Sequence, residues 1–431
     1  MTILFKRLLL GLLLALVLVP VLQAKFHFLK ERPLSGAFTP APRAEFSWDA
    51  LLANRYQPEL ERYLEDRIGF RALLIQLHNQ LRFSLFQASS NSAVVIGREG
   101  IVFQDAPVYT YLGQDSVGRR RAHFRVKRLR QVQQDLASRG IPLLFVMAPN
   151  KARQLPQLLP KLMPRPRPGR SNYEVYMDEM QRQGVELLNL TPLFTAWADT
   201  ARYPLFPWSG THWNAYGATL SADTILRRVE QLVHAPVPRL RQTGPPRVTT
   251  IANPIDGDLT ASMNLLFPPT GPPAVYPQMG PAPTRPGEQR PNLLLIGDSF
   301  NWGLMFFSPF MQHSFAVESR FWYYNSTVYI PDSFEHKDPA HEKPGTMALR
   351  QQIESRQIII ILMTEHNLAY NEFGFTQQVF DLYHPLTEAD KVRIQQIETA
   401  ITAKQTWEEG SKPGFAERMH ELALATYDLE R

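Results

Sequence analysis

Asn292-Leu293-Leu294-Leu295-Ile296-Gly297-Asp298-Ser299-Phe300 is the stretch on which the fold is read. An apolar run of strand length with no polar alternation predicts a strand covered on both faces, as in a parallel sheet. Gly297 permits a sharp exit turn. A serine on the turn that leaves such a strand projects its hydroxyl at the carboxyl edge of the sheet, where open α/β sheets place their sites. The backbone N–H of Ser299 is a candidate donor to a developing oxyanion.

Working outward, the same pattern recurs. Leu143 to Met147, Val185 to Leu190 and Ile358 to Leu362 read as further buried strands. Helices are predicted at Arg119 to Ser138, around Tyr173 to Arg182, and from Ala215 to Val233. Strands alternating with helices predict a three-layer α/β fold, a parallel sheet flanked by helices. On the first helix Phe124, Leu129, Val132 and Leu136 face inward. Arg119, Arg120, Arg121, Arg125, Lys127, Arg128 and Arg130 face largely outward, either as a solvated face or as a contact for an anionic polymer, a headgroup layer or an acidic partner.

Upstream, Arg43 to Gln57 reads as a linker. Tyr63 to Phe83 reads as a helical stretch with Leu64, Phe70, Leu73, Leu74, Leu77 and Leu81 mostly at helical spacing. Ala93 to Ile96 and Ile101 to Phe103 flank a Gly-Arg-Glu-Gly turn and predict a hairpin. Prolines concentrate in 156–168, 236–246 and 268–291, which read as irregular connections. After about Tyr370 the tail predicts two helices, near Leu386 to Ala403 and Phe415 to Tyr427.

Composition narrows the chemistry. The 431 residues carry 46 Lys+Arg against 40 Asp+Glu, a formal charge of +6, with 44% hydrophobic and 20% charged residues. Such a chain buries a sizeable core and is not disordered. It contains no cysteine. Disulfides, cysteine zinc sites, iron–sulfur clusters and thiol nucleophiles are therefore excluded, and any nucleophile is an oxygen or nitrogen. His123, His313, His336, His341 and His366 show no metal-binding spacing, so no metal is proposed. No Walker loop or dinucleotide glycine pattern supports phosphoryl or hydride transfer, and no cofactor is called for.

At the N-terminus, Lys6 and Arg7 precede an apolar run from Leu8 to Ala24, at the short limit for crossing a bilayer. Leu22 occupies a position where a cleaved signal prefers a small residue, which favours an uncleaved anchor over a signal peptide. The remainder is expected in the periplasm, anchored to the inner membrane through residues 8–24, or released there after cleavage. Nucleic acid is not an expected partner.

A second site signal is Trp208-Ser209-Gly210-Thr211-His212-Trp213-Asn214, directly before the helix at Ala215. A histidine in such a loop suits general-base work on a serine hydroxyl, with packing or capping as its plain alternative.

These stretches carry a resemblance. Asp66-Arg67-Ile68-Gly69-Phe70-Arg71, Val95 to Gly100, Pro149-Asn150-Lys151 with Leu158-Leu159-Pro160, Thr211 to Asn214, Gly257-Asp258-Leu259-Thr260, Gly297 to Phe300 and Thr364-Glu365-His366-Asn367 run in family order. From about residue 60 to 370 the chain resembles the alginate O-acetyltransferases of the AlgJ/AlgX type, whose catalytic domain is SGNH-hydrolase-like. The resemblance implies an extracytoplasmic enzyme that acetylates an exopolysaccharide, commonly beside a membrane-bound acyltransferase that supplies acetyl. It implies Ser299 as nucleophile and His212 as base. The family carries an Asp two residues before the His, where this chain has Gly210. Asp256, Asp258, Asp298 and Glu365 are candidate substitutes for that third group, and each also has a structural reading.

Asn150 and Lys151, which follow the Leu143 to Met147 strand, and Asn301 and Trp302, just past Ser299, are candidate oxyanion or substrate groups. Asn150 reads equally as a turn residue and Trp302 as core. The expected organisation is 1–24 anchor or signal, 25–60 linker, 61–370 acetyltransferase domain and 371–431 helical extension. The expected function is O-acetylation of an exported polysaccharide through an acetyl-serine. The alternatives are an inactive scaffold of an acetylation complex and a secreted carbohydrate acetylesterase.

Overall fold

The computed structural model describes residues 3–36, 39–163, 171–330, 337–338 and 343–430. His336, His341 and the prolines at 164–168 lie outside the described residues. In chain order the strands are β1 (Val94–Ile96), β2 (Val102–Gln104), β3 (Leu143–Ala148), β4 (Leu187–Asn189), β5 (Leu240–Thr249), β6 (Ala274–Pro281), β7 (Leu293–Gly297), β8 (Arg320–Tyr323), β9 (Thr327–Tyr329) and β10 (Ile358–Thr364). The helices that matter here are α1 (Ile3–Phe26), α2 (Arg71–Phe86), α3 (Arg119–Ala137), α4 (Asn172–Arg182), α5 (Ala215–Val233), α6 (Asp258–Ser262), α7 (Phe375–Tyr383), α8 (Glu388–Thr402) and α9 (Phe415–Glu430).

The central sheet has the order β4-β3-β10-β7-β8-β9, parallel throughout except that β9 returns antiparallel to β8. Side chains alternate across it. Leu293 and Leu295 join Ile358, Ile360 and Leu362 on one face, packed with Ile225 and Val229 of α5. Leu294, Ile296, Ile359 and Ile361 lie on the other, packed with Leu129 of α3, Tyr176 of α4 and Val379 of α7. With both faces covered, every position of β3, β7 and β10 is buried, which is why these strands read as unbroken apolar runs.

Register fixes the site. Thr364 pairs with Ala148, and Leu362 with Gly297, so the segments after β3, β7 and β10 all leave from one edge. Gly297 is required there, because a Cβ on it would lie 1.8 Å from the Leu362 carbonyl oxygen and 2.4 Å from Asn301 Nδ2.

Several sequence expectations change. The stretch Tyr63 to Phe83 is not one helix. A helix ends at Glu65, and α2 begins only after the turn at 66–70, where Phe70 takes a left-handed φ of 65°. The prolines at 245 and 246 do not exclude a strand. β5 pairs antiparallel with β6 in a separate two-stranded ribbon, and its register shifts between Gly244 and Arg247 accommodate them. The basic face of α3 is only partly solvated: Arg119, Arg120 and Lys127 are exposed, whereas Arg125 and Arg128 are buried. Arg121 and Arg125 pair with Glu421, Arg128 with Asp428, and Arg120 donates to Thr426, so α9 covers this face. The C-terminal helices are thereby held by buried ion pairs, whose disruption leaves a costly uncompensated charge.

Candidate functional site

β7 delivers Asp298 and Ser299 to the carboxyl edge. Asp298 Oδ1 accepts from the Phe300 N–H and caps the short turn Ser299–Trp302. Its Oδ2 accepts from the Thr364 N–H and hydroxyl, at 2.7 Å each, and from Asn367 Nδ2 at 2.6 Å. Asp298 thus ties the β7 exit to the β10 exit, and its carboxylate is committed to that task.

The loop before α5 delivers His212. Asn214 caps α5 by accepting from the Gly217 N–H, and its amide donates to Pro204 O. Trp213 is fully buried between Phe194 and Phe300, which fixes its neighbour's direction. Lys151 holds the loop from beneath. Its ammonium donates to the carbonyl oxygens of Val102 (2.7 Å), Pro207 (2.6 Å) and Gly210 (2.7 Å). Burial pushes Lys151 down to about 7, against the upward pull of the Asp258 and Asp256 charges.

The structure brings Ser299 and His212 together: Ser299 Oγ lies 2.8 Å from His212 Nε2. On the far side of the ring, Nδ1 lies 3.0 Å from Asp258 Oδ2. That contact is close but bent away from hydrogen-bond alignment. Asp258 opens the one-turn helix α6. Its Oδ1 accepts from the N–H groups of Leu259 (2.7 Å) and Thr211 (3.1 Å), which leaves Oδ2 to face the imidazole. Gly210 gives it room, because a Cβ at 210 would lie 2.7 Å from Asp256 O and 2.8 Å from Asp258 Oδ1.

The remaining candidates are engaged elsewhere. Glu365 is buried and paired with Arg153, with burial raising its carboxyl above the usual range. Asp256 is buried at 1% exposure behind Asp258. Burial pushes its carboxyl up to about 6, and the Asp258 charge adds to the rise. Asn150, Lys151 and Asn301 are not free to meet substrate. Asn150 caps a short helix and donates to Pro107 O, Lys151 is saturated by its three carbonyls, and Asn301 donates to Asp298 O and Leu362 O. Trp302 is partly buried and packs among Phe321, Tyr323 and Tyr329, the last edge-on at 4.8 Å, at the margin of the core.

Two further groups stand beside the pair, and the first of them, Tyr324, escapes the sequence reading. Tyr324 sits in the β8–β9 turn with a left-handed φ of 50°, and its N–H donates to Gly297 O at 2.8 Å. This places its phenol against Ser299. Burial raises its pKa, and Asp298 and Tyr323 add to the rise. A tyrosine and an asparagine in tandem (Tyr324-Asn325) between aromatic strands was the available signal. His366, beside Thr364 Oγ1 at 3.0 Å, is close enough to feel His212. Burial lowers its pKa, against the upward pull of the Asp298 charge.

The arrangement can therefore move a proton off a serine hydroxyl, with a carboxylate behind the imidazole, at the carboxyl edge of the sheet, where Ser299 and His212 are both partly exposed.

Comparison with known proteins gives the family. Residues 94–318 match the family model for the SGNH hydrolase-like domain of the acetyltransferase AlgX. Among solved structures, the O-acetyltransferase domain of Pseudomonas putida AlgJ is 18% identical with a TM-score of 0.44, covering 67% of this chain and 99% of that one. Pseudomonas aeruginosa AlgX is 15% identical with a TM-score of 0.43, covering 67% and 66%. Bacillus cereus PatB1 is 12% identical with a TM-score of 0.39, covering 65% and 99%. A comparison with curated protein sequences gives no match. The matched span takes in His212, Asp258 and Ser299 alike, and the chain belongs to the AlgX-type family of SGNH hydrolase-like acetyltransferases.

Proposed function

We propose that this protein is an extracytoplasmic O-acetyltransferase that acts on an exported polysaccharide through an acetyl-enzyme on Ser299. The observation that carries the reading is the relay of short contacts from Ser299 Oγ through His212 to Asp258.

In the first half-reaction, Ser299 Oγ attacks the acetyl carbonyl of a donor ester while its proton passes to His212 Nε2. The N–H of Ser299, at the first position of its turn, faces the developing oxyanion. The donor's leaving oxygen takes that proton from the imidazolium as the acyl–oxygen bond breaks. In the second half, a sugar hydroxyl gives its proton to His212 and attacks the acetyl-serine, and Ser299 recovers the proton. Asp258 holds the Nδ1–H tautomer and stabilises the imidazolium in both halves, the role the family gives to an Asp two residues before the His. Its contact tightens when substrate orders the site. A carboxylate behind the imidazole weakens the reading as an inactive scaffold, whose premise was Gly210.

The N-terminal segment supports an extracytoplasmic setting. α1 is long and apolar enough to cross a membrane, and Lys6 and Arg7 stand at its start. We take it as a retained anchor, with a membrane-bound acyltransferase as the expected source of acetyl.

The test supplies a small acetyl ester with and without an oligosaccharide acceptor and follows acetylated sugar and free acetate together. Acceptor-dependent sugar acetylation that disappears in Ser299→Ala supports the transferase. Acetate release indifferent to the acceptor would make the protein an esterase.

A further inference from the structure

Helix α2 is inside out. Its protein-facing side carries Gln76 and Asn79, which are buried and donate to Arg32 O (3.1 Å) and Met263 O (2.9 Å). Its outward side carries Leu74, Leu77, Leu81 and Leu85, exposed by 52%, 43%, 53% and 70%. At about 100° per residue these four leucines fall within an arc of about 80°, opposite the buried amides. A surface helix of a soluble protein points such a stripe at its core. Here the stripe is left for something outside the chain.

The neighbourhood of α2 says what. Its preceding turn abuts the exit of α1: a Cβ on Gly69 would lie 2.2 Å from Pro20 O and 2.7 Å from Ala24 N. Phe28 packs edge-on against Phe70 at 5.9 Å, and the Phe70 N–H donates to Glu31. Leu74 lies in the first turn of α2, directly after this contact, so the stripe starts beside the end of the apolar anchor. His78 and Arg82 border it on one side, and on the other flank Gln80 Oε1 accepts from the backbone N–H of the exposed Phe267 at 2.9 Å. Aliphatic side chains with a basic border suit the boundary between acyl chains and phosphates, with Arg82 reaching outward. Protein–protein anchors favour Trp, Tyr and Arg, and leucine is under-represented among them.

We propose that α2 lies on the phospholipid surface as a second membrane contact, orienting the Ser299 edge relative to the bilayer. The proposal rests on the reading of α1 as a retained anchor.

Because the chain has no cysteine, single substitutions Leu77→Cys, Leu81→Cys and Lys404→Cys each give one site for a polarity-sensitive dye. The full-length variants are placed in phosphatidylcholine/phosphatidylglycerol vesicles containing lipid with a quencher near the headgroup. Unchanged melting temperatures establish that these surface variants fold. Dyes at 77 and 81 are expected to shift to the blue and to be quenched several-fold more than the dye at 404. Protein that floats with vesicles while 77 and 81 remain in water would overturn the proposal and leave the anchor standing. Protein that does not float would overturn the anchor reading and the proposal together. Dyes already shielded without lipid, in a particle of doubled mass, would assign the stripe to a second copy and overturn the lipid contact.

Discussion

Asp258 occupies the space that a side chain at Gly210 would need: its Oδ1 lies 2.8 Å from where a Cβ on residue 210 would be. A side chain at 210 would therefore have to displace Asp258 or the Asp256 carbonyl, and the glycine is what lets Asp258 stand this close to the loop that carries His212.

Asp258→Asn should therefore lower acetyl-transfer turnover by about three to four orders of magnitude, the scale seen when the acid of a serine triad is disabled. The fold should persist, since the amide oxygen can still accept from Thr211 and Leu259. Gly210→Ala should also reduce turnover, by displacing Asp258. Steady-state kinetics on the purified variants, with melting curves as control, check both. Unaltered turnover in Asp258→Asn would remove it from the mechanism.

Lys151→Met should cost several kcal/mol of stability, because three buried carbonyls lose their donor at about 1–3 kcal/mol each. Two of those carbonyls, on Pro207 and Gly210, belong to the loop that aims His212. Denaturant unfolding should show the loss. Activity measured well below the new midpoint should fall as well, since the histidine is no longer held.

Asp256 sets a pH signature. When folded it keeps its proton up to about 6, whereas the ordinary carboxyl value is 3.8. Between those values the native state binds more protons than the unfolded chain, so ionising Asp256 weakens folding progressively from about pH 4 to 6, and by a constant amount above that. Asp256→Asn should melt at higher temperature than the parent at pH 7 and at nearly the same temperature at pH 4, a difference on the order of 3 kcal/mol at full ionisation. A gap independent of pH would mean that the carboxyl titrates normally.

How much of this was legible in the sequence follows from what covers each element. β3, β7 and β10 are buried on both faces, so their apolar runs announced a parallel sheet, and the turn after β7 announced Ser299. Asp258 stood among four carboxylates that sequence cannot rank. The distances of Asp256 and Asp258 to His212 depend on how the loop after β5 folds back, and no local periodicity encodes that. Arg121, Arg125 and Arg128 of α3 misled for a related reason: an apolar stripe on one side implied water on the other, yet Glu421 and Asp428 of α9 lie there. In α2 the leucines did mark a helix, but helical spacing reports a face without saying which way it turns. The prolines of β5 were read as breakers because a lone two-stranded ribbon, with open edges, tolerates what a central strand does not.

The most direct test of the central claim is covalent labelling by a serine-directed fluorophosphonate, read by intact mass and peptide mapping. The account predicts a single adduct on Ser299 that is absent from Ser299→Ala and forms far more slowly in His212→Ala. A well-folded parent protein that takes no label, or takes it equally after loss of His212, would contradict it.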